Sequence, residues 1–557
     1  MLTPAPAPSA SQTRWPERLA NGLFALSTLV YLLPFIVLPL LALLVNGLSL
    51  GGSATPLDSL LLAWANPTYR AALGNSLLLA GATAAGCCLL ALPAAVILLR
   101  QPKAFAAWLP LGLLPLCTPP FLAAAALKGA LGPGGWAGWL NHPAGLLAVE
   151  VVHYFPMLLL AILLPLRQRQ QEIDSALLCA PRHGWRFLRR IFLPLALPGL
   201  TLGCALIFSR VLDDIATPLI LGQGTLLAPL LYLRVGSHGF ADPVNSVLAL
   251  CLLCLTLGAW LLASRPFAPA SLFSPLALPP ADDERPPLSP GERAYLALLA
   301  GLAGLPFIAL LLLSFAGLWS FTALPESYTL RHYLATWQTQ QGALGNTLLY
   351  CGLAALCALL AALIIALRLH SRRTARARRL GNALLGLVAL PGSALVIGYQ
   401  QCYAAFSPFG GELLAAPPWA FIALVLSVRN LPYAVQILRL ALANLPAQQL
   451  EAAHVLGQTP WRSLVRIALP LLAGSLVTAF AVCFLMAAFD LSTALILIPS
   501  ENMAPLSYSI YLEMFKTSNQ ESGAALAVTA LALLGLGAAL GRQALRRRPR
   551  PVAEPAA

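Results

Sequence analysis

Apolar residues run along this chain in long unbroken blocks, neither alternating as in a half-buried strand nor confined to the stripe of a surface helix. A membrane-crossing helix needs about 20 mostly apolar residues. Blocks of that kind lie near 20–46, 73–100, 104–130, 144–167, 193–222 and 242–264, and again near 293–317, 343–369, 379–405, 416–441, 469–497 and 521–542. The pattern predicts an all-α polytopic membrane protein of about 12 transmembrane helices, arranged as two tandem six-helix halves. Segment 265–292, rich in Pro and polar residues, reads as a semi-extended linker between residues 20–264 and 293–542, with tails at 1–19 and 543–557. The first block extends to about Asn46, beyond a signal-peptide core of roughly 7–15 residues, so it is expected to stay as an uncleaved first span.

The halves repeat one another. Leu73-Gly-Asn-Ser76 recurs as Leu344-Gly-Asn-Thr347, and Trp185-Arg-Phe-Leu-Arg-Arg-Ile-Phe-Leu-Pro194 as Trp461-Arg-Ser-Leu-Val-Arg-Ile-Ala-Leu-Pro470. Asp214-Ile-Ala-Thr217 recurs as Asp490-Leu-Ser-Thr493, in the same 276-residue register as the tryptophan pair. An even number of spans per half makes the repeats parallel, related by an axis along the membrane normal, with a central seam where a pathway can run.

Composition narrows the class. The 557 residues are 59% hydrophobic and only 10% charged, with a mean hydropathy of +0.78. A soluble domain carries roughly 25% charged residues, so this surface must face lipid, which excludes a soluble enzyme, a disordered chain and a secreted disulfide scaffold. The net charge of +14 sits in short clusters between apolar blocks rather than on a basic face with stacking aromatics, which speaks against nucleic acid. The clusters are Arg14/Arg18, Arg100/Lys103, Arg167 to Arg190, Arg265 to Arg293, Arg368 to Arg379, Arg439 to Arg466 and Arg542 to Arg550. With twelve spans all of them share one side, leaving Arg70, Arg234, Arg331 and Lys516 opposite. Short-loop cations stay inside, so both termini are expected in the cytoplasm. None of the three lysines, Lys103, Lys128 and Lys516, follows a glycine, so the chain lacks a phosphate-cradling P-loop. The eleven cysteines lie mostly in apolar runs and read as small packing residues. No motif points to a metal or a cofactor in this chain.

Between the fourth and fifth spans of the second half, Glu451-Ala-Ala-His-Val-Leu-Gly457 is followed nine residues later by Ile467-Ala-Leu-Pro470. Leu450, Ala453 and Leu456 make an apolar face at helical spacing, Gly457 suits a left-handed helix end, and Thr459-Pro460 supplies an N-cap and first-turn proline. A helix–break–helix tied to a span suits force transfer; the simpler reading is an interfacial helix on lipid headgroups. At Glu451, Ala452, Ala453, Gly457, Ile467, Leu469 and Pro470 the loop resembles the signature loop of membrane subunits of binding-protein-dependent ABC importers, and the two-half layout resembles the fused permeases of iron, thiamine and thiamine-like importers. The resemblance implies that the loop docks on two copies of a cytoplasmic ABC ATPase, that ATP binds there and not here, that an extracytoplasmic solute-binding protein delivers the cargo, and that the chain resides in a bacterial inner membrane and performs no chemistry. The first-half copy departs from the signature: Ser175 and Ala176 stand for Glu-Ala, and Pro181 for glycine, while Ile191, Leu193 and Pro194 are kept.

Ionisable groups inside the blocks should face a cavity or a partner, since a mid-membrane charge costs about 2.5–3.5 kcal/mol on insertion scales. Glu150, His153, Arg210, Asp214, Thr217, Arg429, Asp490 and Thr493 are therefore candidates to line the pathway. Structural pairing is the competing reading, with Arg210 and Asp214 spaced i, i+4. An ion-coupled secondary transporter with a twofold six-helix repeat is the rival function; the loop after its second span, however, is merely Gln101-Pro-Lys-Ala. Nothing in the residues selects a cargo.

Overall fold

The structure, a computed structural model, describes residues 28–48, 58–132, 135–168, 188–264, 287–319, 324–371, 386–405, 418–445, 455–498, 500–516 and 519–546, with Thr322, Gly381, Leu384, Gln449, Ala452 and Ala453. Among these residues the molecule is helical but for one short antiparallel pair, β1 (Ala316–Leu318) with β2 (Ser327–Tyr328). In the first half the principal helices are α1 (Leu38–Leu48), α2 (Pro67–Arg100), α3 (Pro120–Leu131), α4 (Pro143–Gln168), α5 (Leu193–Leu212), α6 (Ala216–Ile220), α7 (Leu227–His238) and α8 (Pro243–Ser264). The second half contributes α9 (Pro290–Phe315), α10 (Gln341–Ser371), α11 (Gly392–Ala405), α12 (Pro418–Ala443), α13 (Leu469–Ala488), α14 (Leu491–Leu497), α15 (Leu506–Tyr511) and α16 (Gln520–Arg546).

Nine described helices are long and apolar enough to cross a membrane: α2, α4, α5 with its preceding turn, α8, α9, α10, α12, α13 with its preceding turn, and α16. The chain is thus an all-α, multi-pass membrane protein. Three expected spans take another form. Block 104–130 divides into Pro102–Gly112, a 3-10 turn at Leu114–Cys117, and α3. Prolines 110, 115, 119 and 120 account for this, since each lacks an N–H and clashes with the carbonyl four residues back. Block 379–405 breaks likewise, with a 3-10 turn at Leu387–Ala389 and Pro391 before α11. Block 20–46 begins among residues outside the description and continues as a wide π turn, Thr28–Val37, into α1. Blocks 193–222 and 469–497 also end early: α5 stops at Leu212 and α13 at Ala488, each followed by a short separate helix.

Local chemistry sets several helix starts. Asn66 caps α2 by accepting from the Thr68 N–H at 2.9 Å, with Pro67 in the first turn. Ser289 and Glu292 form a reciprocal capping box at α9. Leu188–Phe192 and Leu464–Ala468 are both π turns, 276 residues apart, immediately before α5 and α13. Pro194 and Pro470 offer no N–H to the carbonyls of Arg190 and Arg466 and crowd them, which widens the preceding turn in both halves.

Without a hydrophobic force between helices in lipid, close packing of small residues holds such spans together. On α10 the buried Ala355, Ala358, Ala362 and Ala366 pack in one core cluster with Leu431, Ala434 and Val435 of α12. A Cβ at Gly199 of α5 would stand 2.0 Å from the Ala161 carbonyl oxygen of α4, so only glycine permits this crossing. The halves also exchange their first spans. In one direction, α1 packs on α11: Tyr399 donates to the Phe35 carbonyl, and a Cβ on Gly398 would lie 2.5 Å from the Pro39 carbonyl oxygen. In the other, α9 packs on α3, with Leu313 against Gly129, while Trp108 donates to the Leu296 carbonyl at 3.1 Å.

Candidate functional site

The signature loop and the buried charges occupy two separate regions. In the loop, Ala452, Ala453 and Val455 are helical; the amide of Leu456 donates to the Ala452 carbonyl and that of Gln458 to Ala453, both at 3.0 Å. Gly457 ends the turn at φ +73°, the left-handed conformation expected there. A one-turn helix, Pro460–Ser463, follows, with the Arg462 amide directed at the Thr459 hydroxyl at 3.4 Å. It runs through the π turn, which contains Ile467, into Leu469 and Pro470 at the start of α13. From Pro460 onward the hairpin's second arm and the span are therefore one continuous piece of helical backbone, with Gly457 to Thr459 separating the first arm from it. The expected apolar face is not folded inward. Ala453 is buried, but Val455 (87% exposed), Leu456 (80%) and Trp461 (62%) project outward. Glu451 lies outside the described residues, as do Ser175, Ala176 and Pro181 of the first copy; Ile191 is in the first π turn, and Leu193 and Pro194 open α5.

The second region lies where the halves meet. Asp213, Asp214 and Asp490 occupy the turns that end α5 and α13, and Arg429 reaches them from α12. Its Nη1 donates to both Asp490 carboxylate oxygens at 2.6 and 2.7 Å and to the Thr493 hydroxyl at 2.7 Å, while Nη2 donates to Asp213 at 3.1 Å. Asp213, on the first half, also accepts the Gly392 and Ser393 amides at 2.7 and 3.1 Å and the Ser393 hydroxyl at 2.7 Å. These are the first amides of α11, whose positive end favours an anion. A Cβ on Gly392 would sit 2.0 Å from the Arg429 Nη1, so glycine leaves room for the guanidinium. Arg210 donates to the Tyr433 hydroxyl of the other half.

The structure thus brings Arg429, Asp490 and Thr493 together as a bonded triad joined to Asp213. The expected Arg210–Asp214 contact does not form: the helix ends at Leu212, so Asp214 is no longer one turn above Arg210 on a common face. In the first half, Glu150 and His153 on α4 and Asp214 and Thr217 beyond α5 are all buried. Asp214 Oδ1 accepts the Ala216 and Thr217 amides at 3.0 and 3.2 Å. Its other oxygen, both Glu150 oxygens, the Thr217 hydroxyl and His153 Nδ1 are buried without a well-formed hydrogen bond. Gly392, Ser393 and Tyr433 escape sequence reasoning, because a backbone amide or a lone hydroxyl in an apolar run carries no pattern. Asp213 stands out in the sequence as one of the ionisable groups of the fifth block, but nothing in the residues marks it as a partner of Arg429.

These features define a polytopic helical membrane protein with an internal repeat and a polar seam between its halves. Residues 387–551, from the broken third span of the second half to the C-terminal tail, match the model of the family described as binding-protein-dependent transport system inner membrane component. That match, whose segment contains the loop 451–470, supports a permease component of binding-protein-dependent transport. No curated protein sequence compared with the chain matches it.

Proposed function

We propose that this chain is the membrane subunit of an ATP-driven importer, moving a small solute along the seam between its halves. A binding protein outside the cell presents the solute, and two copies of an ATPase subunit grip the loops near 172–191 and 446–467 from the cytoplasm, where both termini lie. The observation that carries this reading is the hairpin's outward apolar surface, Val455 and Leu456 before the Gly457 break and Trp461 after it, the second arm running as continuous helix into α13. Exposed apolar patches mark docking sites, and a continuous helical connection transmits displacement instead of absorbing it. Movement of the hairpin shifts α13, and with it Asp490 at the seam.

The test is ATPase coupling in the reconstituted complex. Gly457→Val forces a β-branched residue into the left-handed region at a cost of roughly 1–2 kcal/mol, and Glu451→Ala removes the signature acid. Both variants are expected to insert normally and to lose solute-stimulated ATP hydrolysis at least tenfold. Wild-type coupling in both, or purification of the native chain without any ATPase, removes the basis for this function.

A further inference from the structure

The two halves treat the same position differently. Spans α4 and α12 align in the 276-residue register: Pro143 to Arg167 corresponds to Trp419 to Ala443, and the internal prolines Pro156 and Pro432 fall at the same position. In this register His153 occupies the position of Arg429, Asp214 that of Asp490, and Thr217 that of Thr493. Arg429 satisfies the second-half acid and hydroxyl completely. The first half has the acid and the hydroxyl but no guanidinium at the corresponding position, and it adds another acid, Glu150, one turn before His153. Glu150 and Asp214 are both buried, on α4 and just beyond the end of α5, two helices that pack together, and their carboxyls are close enough to interact. Two carboxylates have only acceptors to offer. Buried side by side, they leave Asp214 Oδ2 and the Glu150 oxygens without a donor, and one proton held between the two carboxyls supplies one.

We propose that the first half binds one exchangeable proton between Glu150 and Asp214, at the place where the second half carries its own cation. On uptake, a Glu150 oxygen becomes a hydroxyl and donates to Asp214 Oδ2, while Asp214 Oδ1 keeps the Ala216 and Thr217 amides. The pair then carries one negative charge in place of two. The other titratable neighbours are Cys87 from α2, His153 and Tyr154 from α4, and Arg210 and Asp213 from α5. Arg210 is held by Tyr433, and Asp213 by Arg429 and the start of α11. The direct approach of the two carboxyls favours a proton over a metal ion, as no three His, Cys, Asp or Glu side chains group to hold one among the described residues. The seam is therefore asymmetric: one side has a fixed positive charge, the other a removable one.

Difference infrared spectroscopy on the full chain in lipid nanodiscs reads this without reference to transport or to any ATPase. The expected result at neutral pH is a protonated-carboxyl C=O band that shifts in heavy water and is lost in Glu150→Gln. His153→Arg copies the second-half arrangement and supplies the guanidinium; it is expected to fold and to lose the band as well. Absence of the band from the unaltered protein, or its persistence in both variants, overturns the proposal. So does a band that emerges only when sodium and potassium are replaced by choline, which assigns the site to an alkali-metal ion.

Discussion

Arg429 is the residue on which the seam's neutrality turns, because its two terminal nitrogens serve acids from both halves. Removing one partner of a buried ion pair costs about 3–5 kcal/mol, since the remaining charge loses its compensation without regaining water. Arg429→Ala leaves Asp490 with only Thr493 and is expected to lower the thermal unfolding midpoint sharply in detergent. Arg429→Lys should recover part of the loss, because a single ammonium cannot span Asp490 and Asp213 as a fork does. Equal stability of native protein and Arg429→Ala would show the network to be dispensable. At this scale the sequence marked which charges are buried and which acids repeat, but not who pairs with whom. The Arg210–Asp214 expectation assumed a helix running two residues further than it does, and the donors to Asp213 are partly backbone amides that no residue pattern announces.

Helix boundaries follow proline more closely than hydropathy. The long apolar runs at 73–100, 144–167, 242–264 and 343–369 were legible because nothing within them stops a helix that neighbouring spans cannot repair. The third span of each half was not: an apolar run and a continuous helix look alike to a hydropathy window, and only the clustered prolines near 110–120 and Pro391 distinguish them. The same blindness hid the short helices α7 and α15, whose first amides are capped from α2 and α10 by Ser76 at 2.8 Å and Thr347 at 2.7 Å. That pair of bonds explains why Leu73-Gly-Asn-Ser76 and its second-half copy are duplicated at all. Crossing geometry gives a sharper prediction. A side chain at Gly199 must displace the α4 backbone at Ala161, and overpacking of this kind costs about 1–3 kcal/mol even after relaxation. Gly199→Ala is expected to lower the unfolding midpoint measurably, whereas Gly258→Ala on α8, where a Cβ meets nothing within 4 Å, should not. Equal effects at both sites would contradict the packing described here.

Taken whole, the molecule is bound together less by its linker than by reciprocal exchange of first spans. At one end of the exchange, Asn46 of α1 and Gln401 on α11 both donate to the Ser246 hydroxyl of α8, at 2.8 and 2.7 Å. At the other, Tyr295 of α9 donates to the Leu90 carbonyl at 2.8 Å, and Glu292 pairs with Arg100 at the end of α2. The seam adds Asp213 against Ser393 and Arg210 against Tyr433. Separated halves would turn these polar groups toward lipid, where unpaired donors and acceptors are costly. Each half therefore has more to gain from the other than from lipid, even though a helix gains nothing hydrophobic by leaving the bilayer's interior. Severing the chain within 265–286 and co-expressing residues 1–264 with 287–557 is accordingly expected to yield a complex that co-purifies through a tag on either piece. Gly398→Leu, which sets a side chain against the Pro39 backbone, should reduce the recovered partner several-fold in the split system. It should do far less in the single chain, where the covalent link keeps the local concentration of partner spans high. Recovery of the two pieces separately, each stable in lipid, would mean that the linker and not the exchanged spans holds the permease together.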